Sequence, residues 1–120
     1  MKEVRLTNSA QQFVTEYLDD GNAINFTFNY RPNAFAWFVD FEYKDLIRKN
    51  IKLSAGTNIL RAFCNLLPID LYVKTSNIMQ EPYLVESFIF GFAKLYIVDF
   101  IERDEIINGT LESEEVERNI

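Results

Sequence analysis

The chain has 120 residues, 15% of them aromatic, a formal net charge of −6 and a sequence pI near 4.6. That length suits one domain, able to bury about two-thirds of its unfolded surface without metal or disulfide staples. The acidic balance argues against a nucleic-acid partner, which clustered Lys and Arg would hold. A single cysteine, Cys64, has no internal partner and sits in an apolar stretch, as a thiol in a reducing compartment does.

Residues 1–7 carry Lys2 and Arg5 with no apolar stretch behind them, so a secretory leader is not expected. Residues 12–18 read as a strand, and residues 3–6 as a short edge strand before it. Leu18-Asp19-Asp20-Gly21 supplies the Asp-Gly pair of a tight hairpin turn. Over residues 23–30 the even positions Ile24, Phe26, Phe28 and Tyr30 alternate with Asn25, Thr27 and Asn29, the pattern of a strand with one buried face. Arg31-Pro32-Asn33-Ala34 then turns the chain. Residues 35–43 place Phe35, Trp37, Val39, Phe41 and Tyr43 on one face and Ala36, Phe38, Asp40 and Glu42 on the other. Together these strands predict an antiparallel meander.

Residues 47–53 continue with Ile47, Ile51 and Leu53 in one register, and residues 59–67 read as an irregular segment ending at Pro68. Residues 70–75 alternate again. Glu81-Pro82 opens one helical turn through residue 87, which Gly91 ends or bends. Residues 92–101 form a long strand apolar on both faces, with Tyr96, Val98 and Phe100 opposite Leu95, Ile97 and Ile101. Two-sided apolarity implies a central strand or a face given to a subunit contact. The longest apolar run, 88–98, is about half a membrane span and is interrupted by Lys94, so no membrane insertion is expected.

The fold class read from this pattern is all-β: a compact antiparallel meander, small barrel or sandwich with one short helical turn. The β domain covers residues 1–101, and residues 102–120 form an acidic C-terminal tail that holds five of the six net negative charges. The tail is either a solvated extension or an arm that docks on a basic groove of a neighbouring subunit.

Catalytic constellations are absent from the sequence. Without histidine there is no Ser–His or Cys–His pair, and the commonest general base and metal ligand are missing. Gly21, Gly56, Gly91 and Gly109 are too dispersed for a phosphate-cradling loop. Asp40, Glu42 and Asp99 could form a carboxylate cluster only if their strands were neighbours, and Asp40 and Glu42 read more simply as the solvent side of a half-buried strand. Asn25-Phe26-Thr27 and Asn108-Gly109-Thr110 match the glycosylation pattern and, with no secretory leader expected, are read as coincidences. No catalytic residue, metal or cofactor is expected. The surplus of rings points instead to surface reserved for a protein partner, with Phe35, Trp37, Phe41, Tyr43, Phe88, Phe90, Phe92 and Tyr96 as the candidate interface. A second reading makes the aromatic face around Trp37 and Phe41 a ligand- or glycan-binding site on a small barrel.

The ordered series Gln12-Phe13-Val14, Leu18-Asp19-Asp20-Gly21, Ile24-Asn25-Phe26-Thr27-Phe28-Asn29-Tyr30, Ala36-Trp37-Phe38-Val39-Asp40-Phe41, Ile51-Lys52-Leu53-Ser54-Ala55-Gly56-Thr57-Asn58-Ile59-Leu60 and Ala93-Lys94-Leu95-Tyr96-Ile97-Val98 resembles the small baseplate plug family of contractile-tailed phages, first described in a cyanophage. The likeness covers roughly residues 10–101. In that family a Gly-containing turn often follows the Trp strand, where this chain has Tyr43-Lys44-Asp45. The resemblance implies a compact β domain at the centre of the virion tail baseplate, assembled in the host cytoplasm. It implies a plug that closes the tail lumen and contacts hub, tube and spike proteins. Such hubs are symmetric about the tail axis, so a homo-oligomeric ring of three or six copies is expected.

Overall fold

The computed structural model describes residues 2–63, 66–76, 82, 84–99 and 102. Strand pairing begins where the alternation is strongest. In β3 (Ala23–Arg31), Ile24, Phe26 and Phe28 are fully buried and Asn25 is exposed. Its neighbours follow that register: β2 (Gln11–Tyr17) on one side and β4 (Ala36–Tyr43) on the other, with Val14↔Phe26↔Phe41 in one transverse row. β5 (Leu46–Lys52) completes a four-stranded antiparallel meander, β2-β3-β4-β5. The second sheet has the order β1-β7-β6, from β1 (Lys2–Val4), β6 (Asp70–Thr75) and β7 (Ala93–Val98). β7 is central there, which accounts for its apolar residues on both faces.

The inner faces share one core. Phe26, Phe28, Trp37, Val39 and Phe41 from the first sheet pack with Leu71, Val73, Leu95 and Ile97 from the second, joined by Leu53, Leu60 and Leu67 from the connection between them. That connection stitches the sheets at one corner. Leu53 N–H donates to Trp37 O at 2.9 Å, Gly56 N–H to Val73 O at 2.9 Å and Ile59 N–H to Leu71 O at 3.0 Å. Asp70, fully buried, fixes the same corner: its Oδ1 accepts the amides of Leu60 and Leu71, each at 2.7 Å. At the opposite side Lys2 Nζ meets Glu16 Oε2 at 3.0 Å, tying β1 to β2. Of the barrel, meander and sandwich forms expected for an all-β chain, the outcome is two open sheets over one core.

Turn chemistry sets the hairpins. Between β2 and β3, Gly21 takes φ +87° and Asp20 Oδ1 accepts Asn22 N–H at 2.9 Å. That bond, rather than burial, holds the exposed Asp20 carboxyl below its ordinary value of 3.8. The two-residue loop between β4 and β5 has positive φ at its first residue, Lys44 (+54°), the position glycine occupies in a type II′ turn. A bulge interrupts β4–β5: Val39 pairs with Ile51 but Phe41 with Arg48, so β5 carries one extra residue. Asn50, at φ +63°, absorbs it, with its N–H donated to Asp40 Oδ1 at 2.8 Å and its Oδ1 accepting from the Arg31 guanidinium.

The bulge corrects the expected register of β5. Ile47 and Ile51 do not share a face: Ile47 lies opposite Glu42 on the outer side, whereas Ile51 lies opposite Val39 on the inner side. Between β3 and β4 the chain makes a short 3-10 turn, Pro32–Ala34. The irregular segment expected over 59–67 contains a second, Arg61–Phe63. Part of the helical turn expected over residues 81–87 lies outside the described residues; residues 84–91 form hydrogen-bonded turns, with Ser87 N–H donating to Leu84 O at 3.1 Å, and end at Gly91 with φ +81°. Glu81, Phe100, Ile101, Cys64 and the acidic tail beyond Glu102 lie outside the described residues. Among the described residues no helix is long and apolar enough to cross a membrane.

Candidate interaction surface

The eight rings expected at an interface divide into two groups. Trp37, Phe41, Tyr43 and Phe88 are buried. Trp37 has no exposed surface: its Nε1–H donates to Leu84 O at 3.1 Å, and its ring lies 5.5 Å from Tyr30 and edge-on to Phe88 at 5.7 Å. Phe41 packs edge-on against Phe63 at 5.4 Å. These rings build the core and latch the 84–91 turn onto the first sheet. With Trp37 and Phe41 enclosed, the aromatic face proposed for a ligand or glycan offers it no surface.

The second group faces solvent. Phe35 is 65% exposed, Phe90 70% and Phe92 52%, while Tyr96 is half-buried on the outer face of β7, opposite Glu3 and Tyr72. Phe35 also sits at φ +49°, a left-handed conformation that a bulky side chain adopts at a cost. Strain of this kind, held at an exposed ring, marks a position that packing within the chain does not require. Phe90 and Phe92 flank Gly91 where the turn gives way to β7, with Ile89 exposed beside them.

Two further exposed rings escaped the sequence reading. Phe13 (75%) and Tyr17 (79%) project from the outer face of β2. Beside them runs a polar ladder: Thr15 Oγ1–H donates to Asn25 Oδ1 at 2.9 Å, Gln11 Nε2 to Asn29 Oδ1 at 3.0 Å, and Asn29 Nδ2 to Asp40 Oδ2 at 3.5 Å. The available signal was the odd-numbered series Gln11, Phe13, Thr15 and Tyr17. It matches the exposed face of β3 through the pairs Phe13↔Thr27 and Thr15↔Asn25.

The carboxylates weighed for acid–base work have structural partners instead. Asp40 anchors the bulge and Glu42 is exposed. Asp99 follows β7 in the other sheet, where it exchanges reciprocal bonds with Glu102: Glu102 N–H to Asp99 Oδ1 at 2.9 Å, Asp99 N–H to Glu102 Oε1 at 3.2 Å. Asp40 and Asp99 are not on neighbouring strands. Among the described residues no three acidic, cysteine or histidine side chains gather as metal ligands would.

A ring-lined core, acids engaged in turns and bulges, and large rings turned outward at three places define a small all-β structural component, built to be packed against other protein. The chain belongs to the cyanophage baseplate plug family: residues 1–107 match the family described as cyanophage baseplate Pam3 plug gp18. No curated protein matches it.

Proposed function

We propose that this chain is the lumen plug at the centre of a contractile phage tail baseplate, where it acts by packing rather than catalysis. The match over residues 1–107 carries this reading. In the assembly, copies form a ring of three or six about the tail axis and contact hub, tube and spike proteins; the particle is put together in the host cytoplasm. The contacting rings are Phe35, Phe90, Phe92 and Tyr96, together with Phe13 and Tyr17. Trp37, Phe41, Tyr43 and Phe88 act indirectly, by fixing the turn that presents Phe90 and Phe92.

The exposed rings support the reading on physical grounds. Protein interfaces are enriched in aromatic residues, and isolated soluble domains rarely expose several large rings without a partner. The test is gold labelling of virions that carry a tagged chain. Label at the distal end of the tail is the expected result, and label confined to heads would reject the proposal. In the same virions, Phe90→Ser with Phe92→Ser should lower incorporation without unfolding the chain, since both side chains are exposed.

A further inference from the structure

β1 and β7 pair with Lys2↔Ile97, Glu3↔Tyr96 and Val4↔Leu95, and the ladder stops just short of Arg5 and Lys94. Across β6, Lys94 is directly opposite Lys74. Lys94 and Lys74 are therefore neighbours on the outer face of the β1-β7-β6 sheet.

Arg5 and Lys94 also line one recess of about 340 Å³, with Ile89 and Gly91 on its rim and Leu6, Phe88 and Leu95 at its wall. Among the described residues Glu3 is the one carboxylate lining it, against the two cations. No described carboxylate reaches ion-pair distance of Arg5 or Lys94. A smaller recess of about 280 Å³ continues past Lys94 to Lys74 and Tyr96. This is a concave, basic site with an apolar wall.

The chain carries its own complement. Residues 103–120 contain Asp104, Glu105, Glu112, Glu114, Glu115 and Glu117 against Arg103 and Arg118, interspersed with Ile106, Ile107, Leu111 and Val116. We propose that this acidic segment folds back in cis and seats its carboxylates on Arg5 and Lys94, with its apolar side chains against Ile89.

Reach permits it. The recess lies at the start of β7, about 13 Å along the strand from Val98 at a rise of ~3.3 Å per residue. The ten residue steps from Glu102 to Glu112 span up to about 33 Å when extended. A short tether also gives the chain's own tail an effective concentration in the millimolar range, above that of any neighbour's tail in dilute solution. Individual exposed ion pairs are weak, so the tether acts together with both Arg5 and Lys94. The Glu112–117 cluster lies beyond the residues matched to the family, so the contact stands apart from the baseplate reading.

The test is zero-length carbodiimide cross-linking of the full chain, prepared as an equal mixture of ¹⁴N and ¹⁵N material and read by peptide mass spectrometry. The Lys2–Glu16 pair, 3.0 Å apart, is the internal positive control. Expected are links from Lys94 to acids of residues 104–117, confined to chains of one label, and a fall in their yield of about fivefold in Arg5→Glu, the factor one close charge contact in water corresponds to. The proposal is overturned if the control links while Lys94 does not. It is also overturned if Lys49 and Lys52 on β5 link to the tail as readily as Lys94, if the links join ¹⁴N to ¹⁵N chains, or if Arg5→Glu leaves the yield unchanged.

Discussion

Phe35→Gly should make the isolated domain more stable and the assembled one worse. Phe35 holds φ +49° at the end of the Pro32–Ala34 turn, and its N–H donates to Pro32 O at 3.2 Å. An L-residue in that region costs about 1–2 kcal/mol, a penalty glycine escapes. Against this, glycine adds about 0.5–1 kcal/mol of backbone entropy to the unfolded chain, and a ring 65% exposed surrenders little burial. The net gain is about 0.5–1 kcal/mol. With a urea slope of about 1.5 kcal/mol/M, the midpoint should rise by roughly 0.3–0.7 M. Trp37 reports the transition, being the lone tryptophan and fully buried. A midpoint that falls by a comparable amount would show that Phe35 stabilises the fold, and the argument from strain would fail. Incorporation into virions should drop while stability rises, an opposition that a merely structural ring would not produce.

Other perturbations read the remaining backbone and buried features. Lys44→Gly relieves the same strain at the β4–β5 loop and should raise the urea midpoint, by a gain of up to about 1 kcal/mol. Asn50→Val puts a β-branched residue at φ +63° and removes the acceptor for Arg31; a loss of about 1–2 kcal/mol is expected by the same assay. Asp70→Ala strips the acceptor from the Leu60 and Leu71 amides at a buried corner and should cost about 2–4 kcal/mol, with thermal unfolding well below wild type. The carboxyl of Asp20 should titrate below 3.8 by NMR. Because its folded value is depressed, the stability it contributes is present above 3.8 and lost as pH falls through the folded value, and Asp20→Ala should remove that dependence.

Much of the first sheet was legible because β3 leaves no choice of face: Ile24, Phe26 and Phe28 alternate with Asn25, Thr27 and Asn29, and a one-residue slip would expose every ring. β2 shows the reverse case. Its rings, Phe13 and Tyr17, occupy the odd positions, yet Gln12, Val14 and Glu16 turn inward, because the β3 register dictates Val14↔Phe26 and the polar pair finds partners. Gln12 accepts Thr7 N–H at 2.8 Å and donates to Thr7 O and Ser9 O, while Glu16 meets Lys2. The partners of Gln12 lie in the non-strand segment just before β2 and that of Glu16 is fourteen residues away, so neither shows in the alternation of β2 itself.

β5 was misread for another reason. Ile47 and Ile51 satisfy a period of two only if no residue is inserted between them, and Asn50 in a bulge looks like any polar strand residue. The eight candidate rings carried the same ambiguity: composition announces surplus aromatics without saying which serve the core. Trp37, Phe41 and Phe88 needed the sheets brought together before their enclosure showed. Phe90 and Phe92 were legible as exposed only through Gly91, which stops the turn and swings the chain into β7.

The two margins of the larger sheet are unlike in one further respect. β5 is kinked by its bulge and studded with Arg48, Lys49 and Lys52, so another backbone cannot lie flush along it. β2 is straight, seven residues long, and without proline or lysine. Two copies can pair through their β2 edges but cannot propagate, since the other edge of each is the blocked β5. Close packing of copies is then safe from runaway cross-β growth, a hazard that a chain with so many rings would otherwise carry.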